Sequence, residues 1–256
     1  MRTLKLTIAY DGTRLVGWQR QSAGESVQGL LEDALTRLEG GPVTVHGAGR
    51  TDAGVHAIGQ VASVQLTCSH DTATLARALN AQLTADVRVL SVEDTAPDFH
   101  ARFSARSKTY RYLLCHALVA DPFERAFAWH VPEPLDLEAM RRAAPALVGT
   151  HDFAAFQSAG SETHGTVRTV FRSELITLDE ATFLRPRVFC PLLAYEICGD
   201  GFLRHMVRAI VGTLVEVGRG RRDPETIAAL LHDGQRAEAG RTAPAQGLFL
   251  VRVDYD

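Results

Sequence analysis

The 256 residues predict an α+β fold made of two ferredoxin-like halves, residues 1–105 and 106–256, with antiparallel or mixed sheets flanked by helices. Three observations predict it. The first half reads strand, helix, strand, strand, helix, strand, which is the order of a split βαβ unit. The second half follows roughly the same order, although no repeat is visible residue by residue. No low-complexity stretch and no long linker parts the two, so they are expected to pack tightly as one protein.

The elements follow from local pattern. Leu4, Leu6 and Ile8 alternate with Thr3, Lys5 and Thr7, the period of a half-buried strand, and Tyr10-Asp11-Gly12 ends it with a turn. Ser26 is an N-cap for a helix carrying Val27, Leu30, Leu31, Ala34, Leu35 and Leu38, which Gly40-Gly41 stops. A strand near Val43–Val45, a strand through Val61, Val64 and Leu66, a helix over about 74–83 and a strand at Val87–Val92 complete the first half. Lys108–Leu114 is a strand with Tyr110, Tyr112 and Leu114 on one face.

In the second half, Asp136 caps a helix with Leu137, Met140, Ala144 and Leu147. Strands are expected at Val167–Ile176 and Leu192–Cys198. The longest helix opens at Phe202 and carries Leu203, Met206, Val207, Ile210, Val211 and Leu214. Arg204 and Arg208, four apart, would lie along one edge of it. Asp223-Pro224 opens a further helix, and Leu248–Val253 is a last strand. Residues 157–165 are the best candidate for a flexible loop.

Composition narrows the function classes. Hydrophobic residues make up 46% and charged ones 22%, an ordinary globular balance. No apolar run approaches the roughly 18–20 residues of a membrane span, and the strand-like start lacks a signal-peptide core. Cys68, Cys115, Cys190 and Cys198 are widely spaced, which points to neither zinc nor a redox dithiol. They are expected to be reduced, buried thiols of a cytoplasmic protein. Ten histidines show no metal-ligand spacing. The two lysines, Lys5 and Lys108, do not follow glycine, which excludes a P-loop. A net charge of −3 argues weakly against a nucleic-acid partner, yet binding needs only a locally positive face.

One stretch stands apart: Gly47-Ala48-Gly49-Arg50-Thr51-Asp52-Ala53-Gly54-Val55-His56-Ala57. It joins two apolar runs, and its glycines allow sharp bends and close approach to a ligand. Asp52 in such a loop reads either as a turn residue or as a reactive carboxylate beside Arg50. An aspartic-protease site would need a second carboxylate loop, and none is present. Arg14-Leu15-Val16-Gly17-Trp18-Gln19-Arg20-Gln21 reads either as a loop with its tryptophan packed on the body or as an RNA-facing loop. Tyr110 and Tyr112 read either as core or as site.

The whole string around Asp52 resembles the catalytic motif of the tRNA pseudouridine synthase A family. The resemblance continues through Tyr10-Asp11-Gly12, Gly17–Gln21, Ser26-Val27-Gln28, Gly59-Gln60, Ala78-Leu79-Asn80, Phe99–Ala105, Lys108–Tyr112, His151-Asp152-Phe153, Thr166–Thr169, Phe202–Gly212 and Ala243–Leu248. These occur in the same order over nearly the whole chain. Residues 179–194 match no motif of the family.

The resemblance implies the pseudouridine synthase fold, with an active-site cleft between the halves. It implies an isomerase that converts uridine to pseudouridine at positions 38, 39 and 40 of the tRNA anticodon stem-loop. No atoms or electrons are gained or lost, so no cofactor and no metal are implied. Asp52 is the implied catalytic nucleophile. Tyr110, rather than Tyr112, is the implied stacking tyrosine, Arg208 the implied partner of the carboxylate, and Arg50 a substrate-binding residue that helps hold the RNA open. Arg14, Arg20, Arg102, Arg106 and Arg168 are candidates for phosphate contacts. The family acts as a homodimer, with tRNA across both subunits. The rival from another class is a non-catalytic RNA-binding protein, which would have no need of Asp52, Tyr110 and Arg208 together.

Overall fold

The computed structural model describes residues 1–158, 165–178 and 192–255. The expected loop at 157–165 and the unmatched stretch 179–194 fall largely outside these. The chain forms two compact units, Met1–Lys108 with Phe249–Asp256, and Thr109–Leu248. In chain order the elements are β1 (Arg2–Tyr10), α1 (Val27–Glu39), β2 (His46–Gly47), β3 (His56–Leu66), α2 (Thr72–Gln82), β4 (Val87–Asp94), β5 (Ser107–Cys115), β6 (Trp129–His130), α3 (Leu137–Ala143), β7 (Gly149–Asp152), β8 (Val167–Leu178), β9 (Leu192–Gly199), α4 (Met206–Gly218), α5 (Thr226–Asp233) and β10 (Leu248–Asp254).

The first unit is a sheet in the order β4-β1-β3-β10, with the short β2 also on β3. β1 runs antiparallel to β3 and β4. The alternation read from the sequence has its physical basis here, since Leu4, Leu6 and Ile8 are all buried. Ser26 Oγ accepts the Gly29 amide at 3.2 Å and starts α1. Gly40, at φ 78°, ends it in the left-handed conformation that glycine adopts without strain. α1 buries Val27, Leu31, Ala34 and Leu35. Asn80 ties α2 to β4, donating to the Val89 carbonyl at 2.8 Å and accepting the Val89 amide at 2.9 Å.

The second unit orders its strands β5-β9-β8-β7, with β6 parallel to β5. β9 and β7 each pair antiparallel with β8. Glu196 of β9 is buried, and Arg111 of β5 donates to it through Nε (2.9 Å) and Nη2 (2.7 Å). Arg172 of β8 approaches the other carboxylate oxygen at 3.4 Å. A buried carboxylate is tolerated only with such partners, and this one bridges three neighbouring strands. α4 packs Met206, Val207, Ile210, Val211 and Leu214 into the core.

Several expectations are corrected. The strand expected near Val43–Val45 forms only at His46–Gly47, where pairing with Ser63 and Ala62 is available. The last strand, assigned with residues 106–256, pairs in parallel with β3, Phe249 opposite His56 and Leu250 opposite Ala57. α4 begins at Met206 rather than Phe202, because His205 stands at φ 62°, outside helical geometry. Arg204 therefore precedes the helix and does not share an edge of it with Arg208. α5 starts at Thr226, two residues beyond Pro224. β6 and β7 are short strands that pattern did not reveal. Cys68 and Cys198 are free but only half-buried, whereas Cys115 is buried as expected. No described helix is long and apolar enough to cross a membrane. Among the described residues no group of three or more His, Cys, Asp or Glu gathers as a metal site.

Candidate active-site loop and tyrosine strand

The loop Ala48–Val55 of the first unit is held from three sides. The Ala48 amide donates to the Val61 carbonyl at 2.8 Å, and the Trp18 amide donates to the Thr51 carbonyl at 3.0 Å. The Val55 amide donates to the Asp52 carbonyl at 3.1 Å, closing a turn in which Gly54 stands at φ 77°. Asp52 is thus clamped through its backbone and is half-buried, while Arg50 is exposed.

A buried polar chain holds the loop at Gly49 and Thr51. Tyr10 Oη and Thr51 Oγ1 are 2.8 Å apart. Gln60 Nε2 donates to the Gly49 carbonyl at 2.9 Å and to Tyr10 Oη at 3.4 Å. All three side chains are almost fully buried. Burial pushes the Tyr10 hydroxyl up to about 12, and its hydrogen bonds to Thr51 and Gln60 oppose that only in part. The residues on either side of Arg50 are therefore tied to one rigid group. Sequence reasoning quoted Tyr10 and Gln60 within motifs but assigned them no role, because only the folded β1–β3 pair brings them together.

Gly12 and Gly17 are required by close approach. A Cβ at Gly12 would lie 2.0 Å from the Val55 carbonyl oxygen. Gly17, at φ 107°, would place one 2.6 Å from the Thr51 oxygen. His56 Nδ1 lies 3.0 Å from the Gly12 amide and 3.2 Å from Asp11 Oδ1. The amide hydrogen points at that nitrogen, so it is an acceptor and makes no ion pair with Asp11. Trp18 is buried against Gly47, where a Cβ would sit 2.4 Å from the indole. It packs on the body and is not an RNA-facing ring.

In the second unit the two tyrosines of β5 separate. Tyr112 is fully buried, donates its hydroxyl to the Pro244 carbonyl at 2.7 Å and meets Trp129 edge-on at 6.3 Å. Burial drives its pKa upward, against the opposing charges of Arg208 and Arg241. Tyr110 is buried beside Phe202, edge-to-face at 5.0 Å. Arg208 of α4 donates through Nε to the Ala243 carbonyl at 2.8 Å, and the Ala243 amide donates back to the Arg208 carbonyl at 3.0 Å. The segment Ala243-Pro244 therefore positions both Arg208 and Tyr112. Gly212 lets α4 come this close, since a Cβ there would lie 1.7 Å from the Arg241 oxygen.

The candidate phosphate contacts differ among themselves. Arg14, Arg102 and Arg106 are exposed, and Arg168 is half-buried, donating to the Val167 carbonyl at 2.5 Å. Arg20 is engaged within its own unit: Nε pairs with Glu32 at 3.0 Å, and Nη2 bonds Asp33 and the Gly29 carbonyl.

Comparison with known proteins places this α+β chain, with its clamped glycine-rich loop and its tyrosine strand, in a family. The model of a family described as tRNA pseudouridine synthase matches residues 6–104 and 143–256. A tRNA pseudouridine synthase A from Syntrophotalea carbinolica is 46% identical, covering 100% of this chain and 97% of that protein. Proteins of the same name from Pelobacter propionicus and Moorella thermoacetica are each 45% identical over the full length of both chains. The chain belongs to the tRNA pseudouridine synthase A family, an isomerase family that converts uridine to pseudouridine.

Proposed function

We propose that this protein isomerises uridine at positions 38, 39 and 40 of the tRNA anticodon stem-loop, with Asp52 as the nucleophile and no cofactor. The N1–C1′ bond breaks, uracil turns, and C5 bonds to C1′. The hydrogen of C5 leaves as a proton and N1 gains one, so the atoms balance without an outside reagent. The observation that carries the reading is the half-buried residue Asp52 on a loop whose backbone is clamped at Ala48, Thr51 and Val55. Such fixed placement favours attack at a defined atom.

Tyr110 is proposed to stack on the extruded uracil, recovering part of the few kcal/mol that flipping costs. The bonding of Tyr112 to Pro244 supports that choice, because its hydroxyl is already spent inside the fold. Arg208 and Arg50 are proposed to bind substrate, and Arg14, Arg102, Arg106 and Arg168 to meet phosphates. Arg20 leaves that set because Glu32 and Asp33 hold it. A homodimer working in the cytoplasm completes the reading. The ferredoxin-like reading of the first unit is supported by the path β4-β1-β3-β2, and that of the second by β5-β9-β8, which repeats the order β1-β3-β2.

Tritium release from tRNA carrying 5-tritiated uridine tests the reading, since forming the C5–C1′ bond expels that hydrogen. Wild type is expected to release tritium and Asp52→Asn to release none, with tRNA bound by both. Release by both would remove Asp52 from its role. Release by neither, with binding intact, would favour the non-catalytic RNA-binding protein. Tyr110→Phe is expected to keep more activity than Tyr110→Ala, and equal loss would shift the role from the ring to the hydroxyl.

A further inference from the structure

The turn His100–Ser104 of the first unit is built more firmly than an exposed turn requires. His100 Nδ1 accepts the amides of Arg102 (3.1 Å) and Phe103 (3.4 Å). Ser104 Oγ accepts the His100 amide at 3.1 Å, and the Ser104 amide donates to the His100 carbonyl at 2.9 Å. The Ala101 amide donates to Ser63 Oγ of β3 at 3.0 Å, and Tyr255 Oη donates to the Ala101 carbonyl at 2.8 Å. A turn fixed in this way pays little ordering entropy on binding.

This frame presents one aromatic ring to solvent. Phe103 is 75% exposed. Behind it runs a ladder of rings, Phe103 to His100 at 4.4 Å between centroids and His100 to His46 at 4.9 Å. Because His100 Nδ1 accepts two hydrogen bonds, that ring is held neutral and serves as a stacking surface. The exposed Arg102 guanidinium lies 5.6 Å from the Phe103 ring centre. An aromatic face beside a cation is what a nucleobase with its phosphate needs. The positive charge at the ring is that of Arg102, in a chain whose net charge is −3.

We propose that Phe103, backed by His100 and His46 and flanked by Arg102, is a stacking platform for an unpaired base of the bound RNA, separate from the uridine being isomerised. The separation follows from the strand they share. The Tyr10 hydroxyl that holds Thr51 also meets Gln60 of β3, and the platform is tied at Ser63. Three residues of strand set these anchors about 10 Å apart, a distance spanned by about three stacked nucleotides at about 3.4 Å each. The proposal rests on the tRNA-modifying reading.

The test measures affinity of the full-length protein for an unmodified tRNA transcript at fixed salt. Phe103→Ala is expected to bind roughly 5- to 100-fold more weakly, with an unchanged melting temperature, and Phe103→Trp to bind as wild type. Trp18 and Trp129 are buried, so fluorescence quenching that tRNA induces only in Phe103→Trp would report the stack directly. Arg102→Ala is expected to reduce the slope of log affinity against log salt by about one. Wild-type affinity in Phe103→Ala overturns the platform. Self-association of wild type that Phe103→Ala abolishes, with unchanged tRNA affinity, also overturns it and makes Phe103 a contact between copies. A wild type that binds no tRNA fails the parent reading, an outcome distinct from an unchanged Phe103→Ala.

Discussion

The Tyr10 hydroxyl lies 2.8 Å from Thr51 Oγ1, one residue before the carboxylate that the proposed chemistry uses. Tyr10 ends β1 and Thr51 sits in the glycine-rich loop, so the contact fixes the loop to the sheet. Removing the hydroxyl leaves the buried Thr51 group short of a partner, a loss of about 1–3 kcal/mol. A catalytic group misplaced by about 1 Å can lose on the order of 100-fold in rate. Tyr10→Phe is therefore expected to lower kcat by about 10- to 100-fold while KM for tRNA stays close to wild type. Steady-state tritium release checks this, and an unchanged kcat with lowered melting temperature would reduce Tyr10 to a purely structural role.

The same tyrosine makes stability depend on alkaline pH. Its hydroxyl titrates at about 12 in the folded protein, against about 10 in an unfolded chain. Below pH 10 both states hold the proton and the stability is fully present. Between about pH 10 and 12 only the unfolded chain releases it, so stability falls by about 1.4 kcal/mol per pH unit from this group. Burial pushes Tyr112, Tyr195 and Tyr255 the same way, which steepens the loss. Urea melts at pH 9, 10 and 11 are expected to show a steep decline, and a shallower one in Tyr10→Phe.

Two glycines should respond differently to alanine. At Gly12 a Cβ would strike the Val55 carbonyl, and backbone on both sides prevents relief. Gly12→Ala is expected to cost about 3 kcal/mol or more and to displace the end of the Asp52 loop. At Gly40 nothing lies within 4 Å, and only the φ of 78° resists. Gly40→Ala is expected to cost about 1–2 kcal/mol with activity retained. Thermal melting paired with tritium release distinguishes the two.

Arg20 looks from its neighbours in sequence like a phosphate contact, but Glu32 and Asp33 of α1 hold its guanidinium. Exposed pairs of this kind contribute about 0–1 kcal/mol each. Arg20→Ala is expected to lower the melting temperature slightly and leave the salt slope of tRNA binding unchanged. A slope reduced by about one would return Arg20 to the RNA interface.

What the sequence determined by itself was local or carried by a motif. The face of β1 follows from the alternation of Leu4, Leu6 and Ile8, because a strand's period is set by its own backbone. The start of α1 follows from Ser26, whose hydroxyl needs only the amide of Gly29. The candidate carboxylate Asp52 was legible because the residues around it form one unbroken string. The tertiary structure decided whatever depends on partners far along the chain. β10 joins β3 across nearly 200 residues of sequence. Tyr112 is closed off by Pro244, 132 positions away. The start of α4 is set at His205, whose Nδ1 bonds Ser158 at 2.7 Å. Tyr10, Gln60 and Thr51 become one network, and His46, His100 and Phe103 one ladder, only after the strands pair. Pattern reports the energies of near neighbours, whereas these contacts arise only once hydrophobic burial has brought distant segments together.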